Sequence, residues 1–149
     1  QKGEKEALVY YNPEKDFPIE DVVHDFNGKE RKFKITYHEI GLGFIVDALE
    51  VGKEEGYHFS AFDATNPYLA LGSLRDKIGK MLSTRHIIKR EGKWSMLHDT
   101  LRGRISYHEG EPIFVVDGIP LSLQEFGKIA ESHEGWQFSM KIFDSTDEI

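Results

Sequence analysis

Hydrophobic and polar residues alternate with a period of two along much of the first half of the chain. Between residues 29 and 38, Phe33, Ile35 and Tyr37 are separated by lysine and threonine, which predicts a strand with one buried face. Asn27-Gly28 precedes this run and favours a tight hairpin, because both turn positions must tolerate positive φ. The pattern predicts an antiparallel meander of four strands, at 19–26, 29–38, 44–51 and 57–62.

The period then changes to that of an amphipathic helix. Asn66 or Thr65 is suited to the N-cap, and Pro67 is suited to the first helical position. The helix is expected to end near residues 83–84. Apolar side chains recur at helical spacing and predict the face that packs on the sheet. These are Leu71, Leu74, Ile78, Met81 and Leu82.

Two glycines lie inside this predicted helix. Gly72 and Gly79 are seven residues apart, so they fall on nearly the same side of the helix. Each costs about 1 kcal/mol relative to alanine in a helix interior. We interpret the pair as a place where the helix closely approaches the sheet.

The second half of the chain predicts a β-hairpin, after a stretch at 85–101 that has no clear period. Residues 102–108 alternate, with Ile105 and Tyr107 expected to face inward. The outward face is expected to carry Arg102, Arg104, Ser106 and His108. A turn leads to a short apolar strand at 113–116, and Asp117-Gly118 is a second turn.

A short helix and a final strand complete the predicted order of elements. Ser122 and Glu125 form the pattern of a capping box, which predicts a helix over 123–133. Residues 136–143 show the clearest strand pattern in the chain, with large apolar side chains on one face. The fold class is therefore α+β, with a meander, a long helix, a hairpin, a short helix and a last strand. The apolar face of that last strand comprises Trp136, Phe138, Met140 and Ile142.

The length of 149 residues fits one domain of ordinary size. We predict a weakly ordered segment over 1–18, a single α+β domain over 19–143 and a frayed acidic tail over 144–149. The chain has no cysteine, which excludes disulfides and thiolate metal sites within it. It also shows no apolar leader and no run of about 18 apolar residues, so the sequence predicts a cytoplasmic protein without a membrane span.

Charge is distributed unevenly along the chain. The net charge of −7 disfavours generic nucleic-acid binding. Residues 75–104 nevertheless carry nine basic residues against three acidic ones, which makes this segment +6 and the remainder −13. Such asymmetry is typical of a docking face for an acidic partner, and also of an ordinary solvated helix face.

No established catalytic motif stands out, and no cofactor is predicted. None of the seven histidines has the helical spacing of a metalloprotease site, and Gly41-Leu42-Gly43 lacks the third glycine of a dinucleotide fingerprint. The most suggestive cluster is basic, since arginine and histidine groups can hold a phosphate or carboxylate. The candidate anion-binding residues are Arg85, His86, Arg102 and Arg104.

Several short stretches together resemble a family of uncharacterised bacterial proteins. The C-terminal stretches are the most specific part, and GYHF at 56–59 extends the likeness back to about Phe17. They are RHI at 85–87, RGRI at 102–105, VDG at 116–118, EFG at 125–127 and EGWQF at 134–138. The resemblance implies one compact domain and no assigned activity. Members of that family often carry a cysteine-rich, zinc-ribbon-like segment before this domain, which is expected to be removed or lacking here.

The leading functional hypothesis from the sequence is a binding or regulatory module that contacts another protein. A first alternative is an enzyme that acts on a small anionic or phosphoester substrate through His86 and nearby arginines. A second alternative is nucleic-acid binding through residues 75–104. Whether the chain is an enzyme, and in what oligomeric state it acts, stays open at this stage.

Overall fold

A computed structural model describes residues 12–149 of the chain. It contains a four-stranded antiparallel sheet in the order β1-β2-β3-β4, which confirms the predicted meander. Its strands are β1 (Ile19–His24), β2 (Glu30–Ile40), β3 (Gly43–Glu50) and β4 (His58–Asp63). A one-turn helix, α1 (Pro13–Asp16), precedes them, and Phe17 beyond it is buried in the core. Residues 1–11 of the predicted weakly ordered segment lie outside the described part.

One helix covers the inner face of this sheet. It is α2 (Pro67–Ser83), and Asn66 caps it by accepting a hydrogen bond of 2.7 Å from the Tyr68 amide, which confirms the predicted start. The buried faces of sheet and helix form the first hydrophobic cluster. From the helix it takes Ala70, Leu71, Leu74, Ile78 and Leu82, and from the strands chiefly Phe33, Ile35, Val46, Ala48 and Phe59.

The glycines of α2 do not lie against the sheet. Both Gly72 and Gly79 are exposed, and a Cβ built on either would have no heavy atom within 4 Å. The interpretation of a close approach is therefore wrong. The two glycines share a helix side, and that side faces solvent.

Replacing either glycine of α2 by alanine should stabilise the protein. We expect Gly72→Ala and Gly79→Ala each to raise the free energy of unfolding by about 0.5–1 kcal/mol, since alanine has the higher helix propensity and no neighbour is displaced. Urea denaturation measures the change. Gly43→Ala is the matched control and should destabilise, because its Cβ would lie 2.6 Å from the Asp63 carbonyl oxygen at a φ of 154°. A loss of stability in both helix variants would contradict the prediction.

The second half of the chain forms two small antiparallel sheets and a helix. A hairpin of β5 (Ile87–Arg90) and β6 (Lys93–Met96) precedes a three-stranded sheet of β7 (Gly103–His108), β8 (Glu111–Val116) and β9 (Ile119–Ser122). Helix α3 (Leu123–Ala130) follows with the predicted capping box, and a 3₁₀ turn, Glu131–His133, extends it. Strand β9 has no counterpart among the predicted elements. A second hydrophobic cluster forms here around Ile87, Val116, Leu121 and Ile129.

The predicted faces of β7 are reversed. Ile105 and Tyr107 are 55% and 68% exposed, whereas Arg104 and Ser106 are partly buried. The cause is the loop between β3 and β4, where Glu55 accepts hydrogen bonds from Arg104 (3.2 Å) and Ser106 (3.0 Å). Because β7 pairs with β8 on one side alone, its apolar face is left partly open.

The predicted final strand is absent. Residues 136–143 have no regular secondary structure and are exposed throughout. A strand needs a neighbour for its backbone groups, and no strand of the described residues pairs with this segment. Residues 136–143 thus have the alternating sequence of a strand without the backbone pairing of one.

Candidate functional site

The four residues of the predicted anion site lie in different surroundings. Arg85 donates a hydrogen bond of 3.0 Å to the Ile87 carbonyl oxygen, and its guanidinium lies 5.4 Å from the ring centre of Phe26. Arg102 is exposed and makes no hydrogen bond or ion pair within residues 12–149. Arg104 is held by the carboxylate of Glu55 and by the Gly56 carbonyl oxygen at 2.7 Å.

His86 is the most buried of the four, with a relative exposure of 2%. Its Nδ1 lies 2.8 Å from Oδ1 of Asp117, which is itself buried in the turn between β8 and β9. The other oxygen of Asp117 accepts hydrogen bonds from the amides of His86 (2.8 Å) and Ile87 (2.9 Å). One carboxylate therefore holds both the ring and the backbone at the start of β5. An anion bound beside His86 would have to displace Asp117. The anion site formed by Arg85, His86, Arg102 and Arg104 stays a prediction.

Asp117 has a backbone conformation that few residues adopt. Its φ is 55°, in the left-handed region that aspartate tolerates better than most side chains, and Gly118 follows with a φ of 73°. A Cβ at Gly118 would lie 2.7 Å from the ring of Tyr57. The turn thus brings its carboxylate to His86 and its backbone against Tyr57, which precedes β4.

A second buried polar cluster lies beside Tyr57 and was missed by the sequence analysis. Arg31 donates to Asp25 (3.1 Å) and to Glu50 (2.9 Å), and its guanidinium lies 5.5 Å from the ring centre of Tyr57. Side-chain exposure is 12% for Arg31, 2% for Asp25 and 3% for Glu50. Burial alone would raise the pKa of Asp25, but the amides of Lys29 and Asn27 together with Arg31 hold that pKa below its usual value.

Two buried polar atoms in this region have no hydrogen-bond partner in the structure. They are the hydroxyl oxygen of Tyr57 and Nε2 of His86. Burial, reinforced by the negative charge of Asp117, raises the pKa of Tyr57 well above its usual range, so the hydroxyl stays protonated. Unpaired buried groups cost free energy and often mark a bound water or a functional position. Here they mark the boundary between the two hydrophobic clusters.

A third polar cluster lies on the outer face of the four-stranded sheet. Asp47 on β3 stands between His38 on β2 and His58 on β4, with ring Nε2 atoms at 3.5 and 3.6 Å from different carboxylate oxygens. Ser60 also donates a hydrogen bond to Asp47. Because the two rings meet different oxygens, the groups do not converge on one point. No three histidine, aspartate or glutamate side chains could hold a metal ion within the searched residues 12–149.

The Asp47 cluster predicts a specific dependence of stability on pH. The interaction with the His58 ring lowers the pKa of Asp47 most, partial burial opposes it, and the hydrogen bond from Ser60 and the charge of His38 lower it further. Stability from this carboxylate is therefore present above its unfolded pKa of about 3.9 and is lost as the pH falls through the lower folded value. We expect Asp47→Asn to flatten the fall in the free energy of unfolding between about pH 5 and pH 3. Urea denaturation across that range measures it, and the exposed helix variant Asp76→Asn should keep the wild-type slope. Parallel curves for Asp47→Asn and wild type would contradict the assignment.

A cavity of about 250 Å³ lies between the β3–β4 loop and the three-stranded sheet. Glu54 and Glu55 line one side, and His108, Ile113 and Pro120 line the rest. Its volume is below the roughly 300–1,000 Å³ of typical small-molecule sites. Two carboxylates at its wall disfavour the anionic substrate that the enzyme alternative requires.

The segment that was predicted as the final strand exposes several large apolar side chains. Trp136 is 76% exposed, Phe138 90%, Met140 62% and Ile142 70%. We call residues 136–143 the C-terminal apolar segment. At its first residue, the Trp136 amide donates to the His133 carbonyl oxygen at 2.9 Å, and just beyond its end Lys77 of α2 donates to the Ser145 carbonyl oxygen at 3.0 Å. The segment is thus anchored at both ends while its apolar side chains face solvent.

The protein has an α+β fold with two hydrophobic clusters. Comparison with known proteins divides the chain between the same two clusters. A family model described as Domain of unknown function (DUF7686) matches residues 15–83, and another, Domain of unknown function (DUF7713), matches residues 86–147. The first ends with α2 and the second begins at His86, so each covers one of the two clusters. No curated protein and no solved structure matches the chain. Among the helices of residues 12–149, none is long and apolar enough to cross a membrane.

Proposed function

We propose that this protein is a protein-binding module, and that the C-terminal apolar segment is the part that its partner contacts. The observation that carries the proposal is the exposure of four large apolar side chains, at 62–90%, in one stretch of seven residues. Several large apolar side chains exposed within one short segment are typical of interaction sites, because water contact with them is unfavourable.

The alternation within the segment indicates how a partner is bound. Gln137, Ser139 and Lys141 separate the apolar side chains, so an extended conformation puts all four on one face. An extended segment that adds to the open edge of a sheet gains backbone hydrogen bonds, and its alternate side chains fill pockets. The segment therefore suits strand addition to a partner's sheet.

The enzyme and nucleic-acid alternatives receive less support from the contacts. His86 faces a carboxylate at 2.8 Å, and Arg104 is paired with Glu55. Within the basic segment 75–104, Arg75 is paired with Asp21 at 2.8 Å and Lys89 lies over the ring of Trp94. These basic groups already have partners within the chain, whereas the apolar side chains of the C-terminal apolar segment are exposed to solvent.

Site-specific photo-cross-linking in cells that make the protein tests the proposal. A benzophenone amino acid placed at Phe138 should give a cross-linked product of defined mass. The matched control is the same amino acid at Leu42, which is 83% exposed in the turn between β2 and β3 and should give none. Equal products at the two positions, or no product at any of the four apolar positions of the segment, would overturn the proposal.

A further inference from the structure

We infer that the partner of the C-terminal apolar segment is the β7 edge of a second copy of this chain. The inference rests on the proposed function and names its partner. Two copies would exchange segments, each adding a strand to the other's three-stranded sheet. The result is a closed dimer with two equal contacts.

The β7 edge is open and has an exposed apolar face. In the sheet order β7-β8-β9, β7 has a neighbour on one side alone. Its Ile105 and Tyr107 are 55% and 68% exposed, although they lie on the same face as the buried Val116. Open edges of this kind are normally covered or protected, because their unpaired backbone groups attract another strand.

The alternation of β7 matches that of the segment. On β7, Ile105 and Tyr107 alternate with Arg104, Ser106 and His108, and the segment alternates apolar and polar side chains in the same way. A strand added to β7 would place apolar side chains beside Ile105 and Tyr107 and polar ones beside Ser106. The lengths also agree, since β7 has six residues and the apolar positions of the segment span seven, from Trp136 to Ile142.

Charge sets the direction of pairing. The segment leads into Asp144, Asp147 and Glu148, and β7 is preceded by Arg102, which is exposed and has no ion pair within residues 12–149. Antiparallel pairing brings the acidic end of one copy to the basic start of β7 in the other. Opposite charges in that arrangement stabilise the pair, and parallel pairing would separate them.

The area is of the size that a stable dimer needs. Buried Trp and Phe side chains cover roughly 150–250 Å² each, so Trp136 and Phe138 of two exchanged segments together cover about 600–1,000 Å². Met140, Ile142 and the covered face of β7 add to this. The total approaches the roughly 1,200–2,000 Å² of specific interfaces. In its own chain the segment is held at His133 and by Lys77, and no strand of residues 12–149 pairs with it, which favours a second copy as its partner.

Sedimentation velocity of the purified chain at increasing concentration tests the inference. Wild type should shift from monomer to dimer, and Ile105→Asp and Phe138→Lys should each weaken dimerisation at least tenfold. Both positions are exposed, so at concentrations where wild type is a monomer the variants should keep its melting temperature, and Leu42→Asp should dimerise like wild type.

An equimolar mixture of the two variants provides the decisive comparison. It should associate again, because it keeps one intact segment-to-edge contact. A monomeric wild type at the highest concentration, a dimer that persists in both variants, or a mixture that stays monomeric would overturn the inference. If a cross-link at position 138 then joins the chain to a different protein, the proposed function stands with another partner. If no cross-link forms, both fail.

Discussion

Asp117→Ala should lower the free energy of unfolding by about 3–5 kcal/mol, because three buried N–H groups lose their acceptor at a cost of roughly 1–3 kcal/mol each. The substitution leaves the His86 ring and the amides of His86 and Ile87 without their acceptor, and all three bonds are 2.8–2.9 Å long. Alanine is also less tolerant of the φ of 55° at this turn. Chemical denaturation measures the change.

Two further variants separate these contributions. Asp117→Asn keeps an amide oxygen and tolerates the same backbone conformation, so it should cost less than alanine. Glu109→Ala is the matched control, because Glu109 has a similar positive φ of 50° but is exposed. It should stay within about 1 kcal/mol of wild type. An Asp117→Ala variant as stable as Glu109→Ala would show that the buried pair does not hold β5 to the β8–β9 turn.

Arg31→Met should destabilise by a similar amount at neutral pH, about 3–5 kcal/mol, since it leaves Asp25 and Glu50 buried without their cation. The pH dependence identifies the cause. Arg31 lowers the pKa of Asp25, so its removal raises that pKa from the wild-type value and takes away stability that is present while the carboxyl is ionised. The difference in the free energy of unfolding between wild type and variant should therefore narrow as the pH falls from 7 through the acidic range in which Asp25 takes up its proton.

Arg75→Met is the control for this prediction. The Arg75–Asp21 ion pair is just as short at 2.8 Å, but Arg75 is 49% exposed. Exposed pairs contribute little, so the loss should be below about 1 kcal/mol with little change of the gap across the same pH range. Equal losses of stability for the two substitutions would mean that the buried ion pairs of Arg31 stabilise the fold no more than the exposed ion pair of Arg75.

The elements that depend on nearby residues were predictable from the sequence. The Asn27-Gly28 hairpin, the Asn66 cap and the Ser122–Glu125 capping box each involve groups within a few positions of one another, and all three are present. The helix face was also predictable, because helical periodicity alone fixes which side chains lie together.

The incorrect predictions concern which face of a strand is covered and which residues cover it. Alternation separates the two faces of β7 but does not reveal that Glu55, far away in sequence, covers the polar one. In the same way, 136–143 has the sequence of a strand, but a strand forms only where an edge is available to pair with it.

The buried polar clusters were missed for a related reason. Asp25, Arg31 and Glu50 have the composition of surface positions, and only the register of β2 against β3 brings Arg31 and Glu50 together at one end of the core. Asp117 was recognised as a turn residue, yet its bond to His86 spans 31 positions.

Amide hydrogen exchange over residues 136–143 tests the central claim most directly, which is that this segment is unpaired in the single chain and becomes a strand on binding. In dilute purified protein these amides should exchange as fast as those of an unstructured peptide. At concentrations where the dimer forms they should become protected together with those of β7, while Phe138→Lys stays unprotected. Protection that is already complete in the dilute monomer would contradict the claim, because the segment would then be paired within its own fold.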